Sequence, residues 1–161
     1  MELHSEKTRL LEFGPFAAAR RRRAGQGKPE TFNFLGFTHI GGKKRNGRFT
    51  VVRQTIRERL QAKLREVKAG LRRRLHDPIP EVGMWLRMVV NGHLQYYGVP
   101  MNWHALFTFC SQVAWLWRRA LERRSQTGFV SWERMRRLTG RWLPPPRVIH
   151  PYPLRRLGVI T

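Results

Sequence analysis

Residues 55–75 read TIRERLQAKLREVKAGLRRRL, and their spacing decides the fold class. Ile56, Leu60, Leu64, Val67, Leu71 and Leu75 follow one another at steps of four, four, three, four and four. That spacing lays one apolar stripe along a helix of about six turns. Arg57, Arg59, Lys63, Arg65, Lys68, Arg72 and Arg73 fall largely outside the stripe. Asp77-Pro78 predicts the helix end, because the residue before a proline avoids helical backbone.

Downstream the helical period continues. Pro80 suits the first turn of a second helix, whose apolar face is carried by Trp85, Met88, Val89 and Tyr96 and which Gly98 and Pro100 stop. Asn102 is placed to cap a third helix. Leu106, Phe109, Cys110, Val113, Trp117 and Leu121 run along one side of it, and Arg118, Arg119, Arg123 and Arg124 crowd its end, where cations favour the helix dipole. Ser131 predicts the cap of a short fourth helix through Trp132, Met135 and Leu138. Pro144, Pro145 and Pro146 then predict an extended tail carrying Arg147, Arg155 and Arg156. Short connections favour antiparallel neighbours.

Upstream the period is different. Phe32 to Ile40 is rich in aromatic and β-branched residues and is closed by Gly41-Gly42, and Arg48 to Arg53 forms a second such run. Lys43, Lys44, Arg45, Asn46 and Gly47 lie between them, and Asn-Gly favours a turn. A β-hairpin with a basic tip is therefore expected. Leu3, Leu10, Leu11, Phe13 and Phe16 have little local material to pack against. Arg20 to Arg23, followed by Gly25, Gly27 and Pro29, reads as a charged, flexible loop. The expected fold is mainly α: a flexible basic N-terminal segment, a small hairpin, a bundle of three or four helices and a Pro-rich tail. The expected divisions are 1–54, 55–142 and 143–161.

Charge narrows the partner. The 161 residues hold 32 Lys and Arg against 10 Asp and Glu, a formal net charge of +22. Such a surface repels itself unless an anion neutralises it, and polyphosphate gains further from counterion release. Most of the cations are Arg, which forks onto phosphate and stacks on exposed bases. No apolar run approaches the ~18 residues of a spanning helix, so a membrane is not the expected partner. Glu2, His4, Glu6 and Lys7 predict no secretory leader. Cys110 is the single cysteine, which excludes an internal disulfide and a Cys-rich zinc site and fits a reducing cytoplasm.

Two stretches carry a family resemblance. Leu3-His4-Ser5-Glu6-Lys7-Thr8 resembles the late palm motif of group II intron reverse transcriptases, which ends in Glu-Lys-Thr. Phe32-Asn33-Phe34-Leu35-Gly36-Phe37-Thr38-His39 resembles the next motif, whose Phe34, Leu35, Gly36 and Phe37 would then be primer-grip-like. Trp85-Leu86, Gly92 to Tyr97, the stretch from Arg118-Arg119 to Trp132, and Trp142-Leu143-Pro144-Pro145-Pro146 are similar to the maturase-specific X or thumb domain and its tail. The resemblance implies a remnant of the palm followed by a helical thumb that holds template-primer duplex and structured intron RNA, in a mobile genetic element that splices with its protein's help.

The departure is equally informative. The family coordinates metal with palm aspartates in a Tyr-x-Asp-Asp loop, and no such tetrapeptide occurs here. Asp77 is the one aspartate of the chain, whereas two-metal phosphoryl transfer needs several carboxylates held together. The fragment is thus expected to need no cofactor, magnesium belonging to the full-length family enzyme, and to be a truncated or split reading frame without polymerase activity of its own. Lys7, whose counterpart sits near the family's active site, reads here as a solvated lysine. The histidines show no i, i+4 pair and no Cys-x-x-Cys accompanies them, so no metal ligand is expected. Ser125 and Ser131 lack an Asp-His pattern for nucleophilic catalysis.

The residues expected to contact RNA are Lys43, Lys44 and Arg45 at the hairpin tip, Arg72, Arg73 and Arg74 at the end of the long helix, Arg118, Arg119, Arg123 and Arg124, and Arg134, Arg136 and Arg137. Of Tyr96 and Tyr97, adjacent and about 100° apart on a helix, one is free to face nucleic acid. Trp85, Phe109 and Trp117 are expected in the core. The expected partners are intron RNA or an RNA–DNA duplex. The alternative is the C-terminal half of a split polymerase, which a separate N-terminal half would complete by docking on Phe32, Phe34, Leu35 and Phe37.

Overall fold

A computed structural model of the chain describes residues 11–124 and 128–151. The Leu3–Thr8 motif with its Lys7, and likewise Ser125, Arg155 and Arg156, lie outside the described residues. The described part holds five helices and a three-stranded antiparallel sheet: α1 Ala17–Arg23, β1 Phe32–Phe34, β2 Phe37–Lys43, β3 Phe49–Thr55, α2 Arg57–Arg73, α3 Ile79–Tyr97, α4 Trp103–Glu122 and α5 Trp132–Trp142. The fold is mainly α with a small antiparallel sheet. The chain divides into two compact units after Gln54.

In the first unit the run from Phe32 to Ile40 is two strands, not one. Phe34 pairs with Phe37 across β1 and β2, so Leu35 and Gly36 alone make the turn, at φ +47° and +78°. Two consecutive positive φ angles are the signature of the tight hairpin turn whose twist matches that of its strands. β2 also runs through Gly41 and Gly42, where a break was expected. The Phe49 ring and the Val52 side chain lie over these two glycines, within 3.3 and 3.0 Å of where a Cβ would stand. The basic turn between β2 and β3 is as expected, closed by Lys44 N–H to the Arg48 carbonyl with Gly47 at φ +79°. Phe13 meets the sheet edge-on at Phe32 and Phe49, while Phe16 stays outside. Arg20 to Arg23 are not a loop but the end of α1. Ala17, Ala18, Ala19 and the arginines are among the best helix formers, and Arg20 is held by Glu12 at 2.8 Å.

The second unit is four helices around one core. α2 contributes Val67 and Leu71; α3, Val82, Leu86, Val90 and Leu94; α4, Leu106, Phe109, Val113, Trp117 and Leu121. Met135 of α5 and Val130 before it close the end. Each set has the three-and-four spacing of one helical face. α2 stops at Arg73, short of the expected length, and Pro80 and Ser131 act at helix starts as expected, the Ser131 hydroxyl accepting from Arg134 N–H at 3.2 Å.

Asn102 stands at the start of α4 but does not cap it. Its side chain is buried and spans the fold instead. Oδ1 accepts from the Thr55 backbone N–H at 2.9 Å, and Nδ2 donates to Thr55 Oγ1 at 2.8 Å and to the Tyr97 carbonyl at 2.9 Å. These bonds fix the starts of α2 and α4 at the same end of the unit. α4 lies along α2, so these two run parallel, because α3 carries the chain back before α4 begins.

Of the residues after α5, Ile149 and His150 are tied to the end of α3. Ile149 and His150 donate their backbone N–H groups to the Gly98 carbonyl at 2.8 and 2.9 Å, and the His150 ring meets the Gln95 carbonyl. A helix end leaves its last carbonyls without partners, and this segment supplies them for α3. Arg87 does the same for α5, donating to the Arg141 and Trp142 carbonyls.

Candidate nucleic-acid interface

The parallel run of α2 and α4 brings their basic C-terminal ends together. Lys68, Arg72, Trp115, Arg119 and Arg123 surround a groove of about 270 Å³ whose floor is Leu71, Leu75, Leu116 and Ala120. Three arginines expected separately from two distant segments thus share one site. All three are exposed. Among the described residues, Arg72, Arg73 and Arg123 have no carboxylate within ion-pairing distance. Arg119 lies over the Trp115 ring at 4.9 Å and is exposed to solvent.

The neighbouring arginines are turned inward. Arg74 donates to the Gly70 carbonyl and stacks on Trp85 at 4.5 Å. Arg118 donates to the Val130 carbonyl at 2.8 Å, pairs with Glu122 at 2.9 Å and stacks on Trp132. Arg124 donates to the Asp77 carbonyl. These three hold the loops at the groove end of the unit, so their guanidinium groups are already engaged. On α5, Arg134, Arg136 and Arg137 are exposed, and Arg137 faces Glu133 at 3.8 Å. Lys43 and Arg45 are exposed at the β2–β3 turn of the first unit, with Lys44 half-buried beside them.

A second, wider groove lies between α2 and α3, bounded by Arg59, Lys63, Met88, His93, Tyr96 and Tyr97. Tyr96 faces solvent and Tyr97 is half-buried. The Tyr97 hydroxyl is pushed to a higher pKa, by burial first and by Tyr96 next, against the pull of Arg59 and Lys63. His93 is 5% exposed and stacks on Phe109 with ring centres 3.6 Å apart. Burial, aided by the Lys63 charge, lowers its pKa to about 4. It is therefore neutral at physiological pH, an aromatic core residue rather than a cation for phosphate. Burial likewise lifts the Cys110 thiol to about 11, which removes it as a nucleophile.

The chain matches no family model, no curated protein and no solved structure. What the geometry offers is a set of surfaces. Among the described residues no three His, Cys, Asp or Glu side chains come together as a metal site, and no helix is long and apolar enough to cross a membrane. Of the expected core aromatics, Phe109 and Trp117 are fully buried, while Trp85 is half-buried against Gly70 and beneath Arg74.

Lys68 and Trp115 were not among the residues expected at the interface. The signal for Trp115 was present in the sequence. Trp103, Phe107, Ser111, Trp115, Arg119 and Arg123 recur at steps of four, a second stripe on α4 beside the core stripe. Trp103, Phe107 and Trp115 are 46%, 55% and 41% exposed, so α4 shows aromatic rings outward along most of its length and arginines at its end.

Proposed function

We propose that this chain is an RNA-binding module equivalent in role to the thumb and maturase region of a group II intron reverse transcriptase. Its four-helix unit corresponds to the thumb-like bundle, and its sheet to the primer-grip end of the palm. It holds intron RNA, or an RNA–DNA duplex, by cationic helix ends. It assists splicing and mobility by stabilising the active fold of the RNA, which itself carries out phosphoryl transfer. The observation that carries the reading is the α2–α4 groove, where cations from two helices surround one concave surface and, among the described residues, Arg72 and Arg123 have no carboxylate within ion-pairing distance. Arginine gathered in this way suits phosphate more than it suits a merely solvated surface.

The test is equilibrium binding to a structured RNA over a range of salt concentrations. The logarithm of affinity should fall linearly with the logarithm of salt, by about 0.7 to 0.9 per phosphate engaged. The combined variant Arg72→Gln, Arg119→Gln, Arg123→Gln should lower that slope by roughly two to three phosphates. A flat salt dependence overturns the reading.

A second reading has its own observation. Phe34 and Leu35 are 59% and 66% exposed at the β1–β2 turn, an apolar tip that a separate polymerase half could cover. Phe37 is buried and Phe32 is half-buried against Phe13 and His39, so the docking contact would rest on Phe34 and Leu35. Primer extension on mixing the two halves tests it, and no extension from a folded complex rejects it.

A further inference from the structure

We infer that the α2–α4 groove takes an unpaired nucleotide of a folded RNA, its base against Trp115 and the apolar floor and its phosphates among Lys68, Arg72 and Arg123. The inference rests on the RNA-binding reading above and adds which part of the RNA is selected. Phosphate capture alone needs cations on a surface. It needs no hollow with an apolar base. This site has Leu71, Leu75, Leu116 and Ala120 beneath the cations and an indole as one wall.

Charge and shape together exclude most occupants. An uncharged apolar ligand would leave the cations unanswered. A regular A-form duplex presents phosphates and sugar edges but keeps its base faces stacked inside. A nucleotide turned out of its helix offers both an aromatic face and a flanking phosphate on each side. The volume, about 270 Å³, lies just under the range of drug-sized pockets, which suits one heterocycle rather than a run of bases. Trp115 already carries the Arg119 guanidinium at 4.9 Å. Arginine planes stack on bases themselves, so the base of the nucleotide lies on the Arg119 plane or takes its place on the indole.

The probes are two RNA hairpins of the same stem, one fully paired and one with a single bulged 2-aminopurine. The 161-residue chain is titrated into each at fixed salt. The bulged RNA should bind roughly tenfold tighter, the scale of one base–aromatic stack, and its 2-aminopurine fluorescence should be quenched in the complex. Trp115→Ala should reduce the preference to under about threefold, and Trp115→Phe should retain most of it. Phe107→Ala, one exposed aromatic on the same helix outside the groove, should leave the preference as it is. Equal, salt-dependent affinity for both hairpins would overturn the nucleotide pocket while leaving the RNA-binding reading intact. No binding to either would overturn both. Displacement of the bulged RNA by oligoglutamate of equal charge and concentration would also overturn the pocket, since charge alone would then be recognised.

Discussion

Asn102 makes three hydrogen bonds with one amide, two to Thr55 and one to the Tyr97 carbonyl. Its role was illegible locally, because a cap preference concerns the next three residues whereas Thr55 is 47 residues away. Asn102→Ala should cost about 2–4 kcal/mol, since it leaves buried donors and acceptors without partners. Asn102→Asp should cost a comparable amount, because a carboxylate oxygen would face the Tyr97 carbonyl. Urea unfolding of both variants measures this. His93 makes a pH prediction. Its folded pKa of about 4 lies below the ordinary 6.5, so below pH 6.5 the unfolded chain binds a proton that the folded chain refuses. Stability should be unaffected by this group above pH 6.5, decline as pH falls, and level out below about 4, for a total near 3 kcal/mol. Comparing unfolding midpoints of wild type and His93→Leu across pH 3.5–7.5 isolates it, with the wild type showing the steeper loss on acidification.

At the scale of elements, α2 and α5 were legible because their apolar spacing and, for α5, the Ser131 cap are local properties. α1 was not, because four arginines and two nearby glycines masked the helix-forming alanines before them. The β1–β2 turn was hidden because Leu35 occupies a positive-φ position that usually belongs to Asn or Gly. Leu35→Asn should therefore stabilise the first unit by about 0.5–1 kcal/mol, read as a higher melting temperature. Two glycines of α3 give opposite expectations for the same substitution. A Cβ on Gly83 would stand 2.6 Å from the Trp142 ring, while one on Gly92 meets nothing within 4 Å. Gly83→Ala should destabilise by about 1–3 kcal/mol through loss of the α3–α5 contact. Gly92→Ala should stabilise by about 0.5–1 kcal/mol from helix propensity alone. Thermal denaturation of the pair distinguishes packing from propensity.

At the scale of the whole molecule, each cationic segment was visible in the sequence, but their grouping was not. Arg72 and Arg119 meet because α3 returns the chain to the end where α2 began, a fact of topology that local periodicity does not encode. The same is true of Arg74, Arg118 and Arg124, which look identical to their neighbours in sequence yet spend their donors on backbone carbonyls. With a formal net charge of +22, self-repulsion should make stability rise with anion concentration. Melting temperatures in sulfate should exceed those in chloride at equal ionic strength, and a polyanion such as heparin should raise them further. The Asn102 fastening has a last consequence for motion. α2 and α4 are clasped at their beginnings by directional bonds, and toward the groove Val67 and Leu71 of one share a buried core with Val113, Trp117 and Leu121 of the other. The pair is therefore a stiff trough, and it presents its arginines on a preset frame. Amide protons in the buried middle turns of both helices should exchange with solvent last, and those of the final turns should slow once cargo is bound.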